Sequence, residues 1–141
     1  GMCWHCASGL YQNMTAASGC ESCPSNTYSL TGSDGISDCI CNVGFEGSDG
    51  AACTACEMGT FKTANGSGMC WHCASGLYQN MTAASGCESC PSNTYSLTGS
   101  DGISDCICNV GFEGSDGAAC TACEMGTFKT ANGSGMCWHC A

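Results

Sequence analysis

The sequence predicts a small disulfide-rich fold, built as an elongated tandem array of short β-hairpin and coil units with little or no α-helix. Cysteine accounts for 18 of the 141 residues, and the cysteines recur at regular spacing. Large aliphatic side chains are scarce, since each 67-residue stretch contains two leucines, two isoleucines and one valine. A hydrophobic core of ordinary size cannot be built from these, so covalent links must supply much of the stability.

The sequence repeats with a period of 67 residues. Residues 1–67 and 68–134 are identical, and residues 135–141 begin a third copy. An exact period of this length indicates a chain of equivalent structural units. We therefore divide the chain into copy 1, copy 2 and the start of copy 3, and we expect it to be a segment of a longer tandem protein.

Each copy contains four shorter units. In every unit an opening cysteine is followed three residues later by Gly or Asn, then by an aromatic residue, then by a polar loop that ends at a closing cysteine. Gly and Asn tolerate a positive φ best, which predicts a turn at that position. The aromatic residue is the main apolar contribution of its unit. In copy 1 the segments from opening cysteine to aromatic residue are Cys6–Tyr11, Cys23–Tyr28, Cys41–Phe45 and Cys56–Phe61.

The four units suggest a sequential disulfide scheme, in which each unit closes its own loop. A loop of this length closed by a disulfide is worth roughly 3 kcal/mol in the chain-entropy model. The predicted pairs are Cys6–Cys20, Cys23–Cys39, Cys41–Cys53, Cys56–Cys70, Cys73–Cys87, Cys90–Cys106, Cys108–Cys120 and Cys123–Cys137. The short segments between units, such as Thr54–Ala55, are then interpreted as hinges.

An interlaced scheme, with pairs such as Cys3–Cys20 and Cys6–Cys23, remains an alternative. Under the sequential scheme, Cys3 and Cys140 are left over. We expect them to form disulfides with neighbouring repeats.

The charge balance narrows the range of partners. The formal net charge is −10, with two lysines and no arginine. Phosphate contacts require Lys or Arg, so nucleic-acid binding is not expected, and anionic membranes are disfavoured for the same reason. No apolar run approaches the roughly 20 residues of a transmembrane helix, so no direct membrane insertion of this segment is expected.

The segment Cys3-Trp4-His5-Cys6, which recurs with the period, is the sharpest candidate for chemistry. A Cys-x-x-Cys pair can be a redox motif, but the required helix in a βαβ setting is not predicted here. Cys3 and Cys6 with Cys20 and Cys23 also have a spacing near that of structural zinc sites. We favour the interpretation in which the two cysteines belong to different disulfides.

Other candidate sites are weaker. Acidic residues could bind calcium through their oxygens, but no dense calcium-loop spacing is present, and solvated turns explain them better. The histidines have no Ser, Cys or Asp partner at a catalytic spacing. We therefore expect no enzyme activity, no metal and no cofactor. The acidic residues considered are Asp34, Asp38, Glu46, Asp49 and Glu57, and the histidines are His5, His72 and His139.

Four asparagines match the N-glycosylation acceptor pattern, Asn-x-Ser/Thr: Asn13, Asn65, Asn80 and Asn132. The pattern is short, but glycosylation fits a secreted disulfide-rich chain. We expect at least one of the two site types to carry a glycan.

The pattern Cys-x-x-Cys-x-x-Gly-Thr-aromatic-Lys, which leads through a Gly-rich loop to another Cys-x-x-Cys, resembles the ephrin-receptor-like cysteine-rich repeat. The matching stretches are residues 53–73 and 20–29 with their copy 2 equivalents. Residues 39–47 also resemble the end of an EGF-like module, whose last two cysteines pair, in agreement with Cys41–Cys53. The TNF-receptor modules are a looser match. The resemblance implies an extracellular array with no catalytic residues.

The sequence leads to two functional hypotheses. The first is an extracellular structural protein that self-associates into a filament, sheath or surface appendage, because identical repeats present identical lateral surfaces. The alternative is the stalk or ligand-binding ectodomain of a cell-surface receptor or adhesin, with other extracellular proteins or glycans as partners. Identical copies favour the first, since receptor repeats usually diverge.

Overall fold

The computed structural model describes residues 3–141 and contains short strands, turns and two 3₁₀-helices, with no α-helix in that range. The first nine strands are β1 (Leu10–Tyr11), β2 (Glu21–Ser22), β3 (Thr27–Tyr28), β4 (Ile40–Cys41), β5 (Phe45–Glu46), β6 (Thr54–Ala55), β7 (Thr60–Phe61), β8 (Trp71–His72) and β9 (Leu77–Tyr78). The remaining strands are β10 (Glu88–Ser89), β11 (Thr94–Tyr95), β12 (Ile107–Cys108), β13 (Phe112–Glu113), β14 (Thr121–Ala122), β15 (Thr127–Phe128) and β16 (Trp138–His139). The 3₁₀-helices are Ile36–Asp38 and Ile103–Asp105.

Consecutive strands pair into eight two-stranded sheets, β1 with β2 through β15 with β16. In the first hairpin Leu10 lies opposite Ser22, and Tyr11 lies opposite Glu21, in an antiparallel register. The predicted fold class, a disulfide-rich series of hairpins without α-helix, is confirmed. Its elongation remains a prediction.

Each hairpin begins with a turn after its opening cysteine. In the first hairpin the Leu10 amide donates to the Ala7 carbonyl at 3.1 Å, and Gly9 between them has φ 84°. The predicted positive φ three residues after the opening cysteine occurs in all eight hairpins, at Gly9, Asn26, Gly44, Gly59, Gly76, Asn93, Gly111 and Gly126. A turn of this kind requires a residue that tolerates the left-handed region, which explains why only Gly and Asn occur there.

The second strand of each hairpin includes the short segment between a closing and an opening cysteine. Thr54–Ala55, interpreted from the sequence as a hinge, is strand β6 and pairs with β5. The interpretation was wrong because it considered the covalent links alone. The main chain of this segment is fixed by the ladder to the aromatic-containing strand before it.

The structure contains eight disulfides, and all eight are pairs of the sequential scheme. Their sulfurs form most of the core. Cys39, Cys41, Cys106 and Cys108 are completely buried, and Tyr11 and Tyr78 are among the few other buried large side chains. A chain with so few aliphatic residues thus replaces an ordinary core with stacked disulfides and tyrosines.

Main-chain hydrogen bonds join consecutive hairpins as well. The Gly9 amide donates to the Ser29 carbonyl at 2.9 Å, and the Gly32 amide donates back to the Cys6 carbonyl at 2.7 Å. The copy 2 equivalents are Gly76 to Ser96 at 3.0 Å and Gly99 to Cys73 at 2.7 Å. Each hairpin is therefore held by its own disulfide and by backbone contacts to the next hairpin.

The chain forms two compact units. The first combines the residues up to Cys56 with Lys62–Trp71 and Ala83–Ser85, and the second combines Glu57–Phe61, His72–Thr82 and Gly86–Ala141. Both units contain residues from copy 1 and copy 2. The sequence period and the compact units are thus different divisions of the chain.

Candidate interaction surface

Tryptophan lies on the surface of the protein in every copy. Trp4 is 83% exposed, Trp71 70% and Trp138 69%. In the second unit Trp138 on β16 lies opposite Phe128 on β15, which is 44% exposed. Two exposed methionines of the same unit, Met125 and Met136, add apolar surface. We call Phe128, Trp138, Met125 and Met136 the Trp–Met surface.

Local structure explains why these side chains are exposed. The strand that carries Trp138 has only two residues, and both are exposed. A two-stranded hairpin has no second layer to cover it, so the tryptophan finds no core to enter. Exposed aromatic and methionine side chains are enriched in surfaces that bind other proteins. The arrangement can therefore provide apolar contact area for a partner.

A second apolar feature lies in the first unit. Trp4 and Met14 line an open cleft of about 430 Å³, together with Gln12, Ala17 and Gly19. The cleft lies between the segment before the first hairpin and the loop of that hairpin.

Both lysines are buried, which sequence analysis did not predict. Lys62 donates from Nζ to the Gly66 carbonyl at 2.7 Å. Burial lowers the pKa of Lys62, while nearby Asp49 and Glu46 act in the opposite direction. Lys129 is buried too. Net charge gives no signal of which charges are exposed, and here the accessible side-chain charge is almost entirely negative.

Several acidic side chains act as structural acceptors. The Asp38 carboxylate accepts hydrogen bonds from the amides of Asp34 and Gly35 at 3.1 and 3.2 Å, and the Glu46 carboxylate accepts one from the Cys70 amide at 2.7 Å. Among residues 3–141 no cluster of three potential metal-ligating side chains is formed. The structure thus gives no support to the calcium alternative.

Glu21 and Glu88 accept hydrogen bonds from buried tyrosines. Tyr11 donates to Glu21 at 2.9 Å, and Tyr78 donates to Glu88 at 3.1 Å. The hydrogen bond to Glu21 is the largest cause that raises the pKa of Tyr11, followed by burial. For Tyr78 the order is reversed, and burial is the largest cause that raises its pKa.

The Cys-x-x-Cys segments are not dithiol sites. Cys70 pairs with Cys56, whereas Cys73 pairs with Cys87, so the two cysteines of this segment belong to different disulfides. Sulfurs held in disulfides cannot bind zinc as thiolates. Cys3 and Cys140 are exposed free thiols within the described chain. His5, His72 and His139 are exposed.

The four glycosylation motifs occur in two different environments. Asn13 and Asn80 are exposed in the loops of the first and fifth hairpins. The side-chain carbonyl of Asn65 accepts a hydrogen bond from the Val43 amide at 3.0 Å, and Asn132 accepts the equivalent bond from Val110 at 3.0 Å. The second pair of asparagines thus also serves to fix a loop, which sequence analysis did not predict.

Within residues 3–141, no helix has the length and apolar character needed to cross a lipid bilayer. This observation concerns the described residues alone.

Comparison with known proteins identifies one family. The family described as tyrosine-protein kinase ephrin type A/B receptor-like matches residues 1–39, 44–86 and 63–106. Ephrin type-B receptor 1 of Gallus gallus is 45% identical over 38 residues, which cover 27% of this chain and 4% of the receptor. The similarity thus concerns a small part of that receptor, and it lies in the cysteine-rich repeats.

Proposed function

The chain belongs to the ephrin type A/B receptor-like family of cysteine-rich repeats, and we propose that it is a segment of a cell-surface receptor or adhesin ectodomain that contacts other extracellular proteins. The family match extends over most of the chain, and this observation carries the proposal. The chain is extracellular or exposed at the cell surface, in agreement with its disulfides. The matched cysteine-rich module is a non-catalytic ectodomain module, although the kinase relatives are enzymes.

The chemistry of the surface indicates what kind of partner is suited to it. The exposed aromatic and methionine side chains supply apolar contact area, while the surrounding charge is negative. Such a surface fits a protein with an apolar patch bordered by Lys or Arg. Anionic glycans are poor candidates, because both lysines are buried and the chain has no arginine.

The proposal can be tested on intact cells that produce the protein. Cell-surface proteins are labelled with a membrane-impermeant biotin reagent, the cells are extracted with detergent, and the extract is centrifuged. A receptor is expected to be biotinylated and to remain in the detergent-soluble fraction. Recovery of the biotinylated protein only in a sedimenting, filamentous fraction would contradict the receptor proposal.

Partner binding is tested with the isolated, oxidised chain and a variant that carries Trp4→Ala, Trp71→Ala and Trp138→Ala. Cross-linking to proteins on intact cells should be at least about tenfold weaker with the variant, as expected when several aromatic anchors are lost. The exposed Leu30→Ala and Leu97→Ala pair is the control, and it should cross-link like the parent. Equal cross-linking by the tryptophan variant and the parent would exclude this surface.

A filament, sheath or appendage is the second candidate. Its support is the exact identity of residues 1–67 and 68–134, which gives a chain identical surfaces at regular intervals. Family membership favours the receptor instead. Negative-stain electron microscopy of the native material distinguishes them, since a filament requires an axial repeat commensurate with the 67-residue period.

We further propose that Asn13 and Asn80 are the preferred glycosylation sites. Both are exposed, whereas the Asn65 and Asn132 side chains are hydrogen-bonded to a neighbouring loop. Enzymatic glycan removal in heavy-oxygen water converts each occupied asparagine to a mass-shifted aspartate. The mass shift is expected mainly in peptides with the Asn-Met-Thr motif, and a shift restricted to Asn-Gly-Ser peptides would contradict the proposal.

A further inference from the structure

Two identical surface segments of the protein have different surroundings. In copy 2 the loop residues Ala83 and Ala84 contact the preceding repeat, and both are half-buried. The Ala83 amide donates to the Cys56 carbonyl at 2.9 Å, and the Lys62 amide donates to the Ala84 carbonyl at 3.1 Å. All four residues lie in the first compact unit.

In copy 1 the equivalent residues Ala16 and Ala17 are fully exposed. Within residues 3–141, the Ala16 amide and the Ala17 carbonyl make no backbone hydrogen bond outside regular strands and helices. They border the 430 Å³ cleft described above, which is lined by Gln12 and Ala17 among others. We call Gln12, Ala16 and Ala17 the head face.

The opposite member of this contact also occurs without a partner. Gly111, Cys123 and Lys129 are the copy 2 equivalents of Gly44, Cys56 and Lys62, and we call them the tail face. Cys56 is completely buried, whereas Cys123 is half-exposed. The Lys129 amide and the Cys123 carbonyl have no partner of this kind among the described residues.

Both faces have the conformation that they would need in a contact. Ala16 has φ 56°, close to the 57° of Ala83, although an alanine in the left-handed region is strained and Ala16 has no contact to hold it there. On the tail face Gly111 donates to the Lys129 carbonyl at 3.1 Å, as Gly44 does to Lys62 at 3.0 Å. Surfaces that are already formed bind without a large cost in ordering.

We propose that a second copy of this chain docks head to tail, with its head face on the tail face of the first. The contacts repeat those already present inside the chain, with the Ala16 amide donating to the Cys123 carbonyl and the Lys129 amide donating to the Ala17 carbonyl. An interface between two different faces does not close on itself after one addition, so further copies can add. Each chain carries a net charge of −10, and added salt therefore strengthens the association by screening.

The test uses the 141-residue chain with Cys3→Ser and Cys140→Ser, which removes disulfide exchange between chains. Sedimentation velocity over a wide concentration range, at low and high salt, should show an average mass that rises above 14.2 kDa with concentration and with salt. A chain that remains at 14.2 kDa under all these conditions overturns the proposal.

A glycine variant locates the interface. A Cβ on Gly44 would collide with the Ala83 carbonyl, whereas a Cβ on Gly111 meets no atom within 4 Å in the isolated chain. Gly111→Ala should therefore leave the monomer folded and weaken association at least about tenfold, because a docked Ala16 would meet the new methyl group.

Gly76→Ala is the matched control for backbone strain. Gly76 has φ 84°, against 83° for Gly111, and a Cβ there meets nothing within 4 Å although repeats lie on both sides of it in sequence. This variant should associate like the parent. Equal association of Gly111→Ala and the parent overturns the proposal. Loss of association in Trp138→Ser, with full association of Gly111→Ala, also overturns it and would place the contact on the Trp–Met surface.

Discussion

Copy 1 and copy 2 have the same 67 residues but do not have the same surroundings. Gly44 is buried and close to the Ala83 carbonyl, whereas Gly111 at the equivalent position is half-exposed with open space beside it. Cys56 is completely buried, and its equivalent Cys123 is not. The difference arises because the loop of the fifth hairpin contacts the third and fourth hairpins, and residues 1–141 contain no equivalent loop for the seventh and eighth.

This comparison separates two contributions to stability that are usually mixed. Residue type, turn geometry and disulfide loop length are equal in the two copies, so they cancel when equivalent substitutions are compared. What remains is the contribution of the neighbouring repeat. In tandem repeat proteins, stability is approximately a sum of terms within each repeat and terms between neighbours, and the two copies allow the second kind to be measured.

The largest expected effect comes from removing a disulfide. Cys56→Ala with Cys70→Ala, and Cys123→Ala with Cys137→Ala, each open a loop with a sequence separation of 14. Both should lower the free energy of unfolding by roughly 3 kcal/mol through loop entropy. The first variant should lose about 1 kcal/mol more, because a completely buried sulfur is removed. Denaturant unfolding followed by tryptophan fluorescence measures both losses, and equal losses would show that the neighbouring hairpin contributes nothing.

A smaller effect is expected from alanine at the turn glycines. Gly44 and Gly111 share φ 83°, so Gly44→Ala and Gly111→Ala both place alanine in the left-handed region, which costs about 1–2 kcal/mol. Only Gly44→Ala also forces the Ala83 carbonyl to move, which adds about 1–3 kcal/mol. Denaturant midpoints of the two variants, measured on dilute monomer, give the difference. A larger loss for Gly111→Ala would contradict the described packing.

The smallest effect concerns the two buried tyrosines, whose pKa values are both raised above 10.0. Above pH 10 the folded protein retains a phenolic proton that the unfolded chain has lost. The stability linked to each tyrosine is therefore complete below pH 10 and decreases as the pH rises through the raised pKa. Glu21→Ala should lower the pKa of Tyr11 more than Glu88→Ala lowers that of Tyr78, because the hydrogen bond is the largest cause only at Tyr11.

Rapid pH-jump absorbance measurements test this expectation before alkaline disulfide exchange begins. A background of Tyr28→Phe and Tyr95→Phe leaves Tyr11 and Tyr78 as the only absorbing phenols, since the chain has four tyrosines. Equal shifts in the two glutamate variants would show that the tyrosine environments do not differ in this way.

Much of the local structure could be predicted from the spacing of cysteines, glycines and aromatics. The positive φ at Gly9 and Asn26 followed from the few residue types that tolerate it. The pairing of Cys41 with Cys53 was one of two alternatives, and the structure contains it. The two residues between cysteines were misjudged as hinges, because a strand of two residues such as Thr54–Ala55 is too short to show a period of its own.

The sequence by itself determined the extracellular disulfide-rich class, the repeating hairpin unit and the resemblance to ephrin-receptor-like repeats, because these depend on residue types and their spacing along the chain. Only the tertiary structure decided that both lysines are buried, that Asn65 supports a neighbouring loop, and that Gly44 and Gly111 differ. Burial and contact depend on which repeat lies beside a residue. Two identical segments therefore acquire different properties that no reading of either segment alone could distinguish.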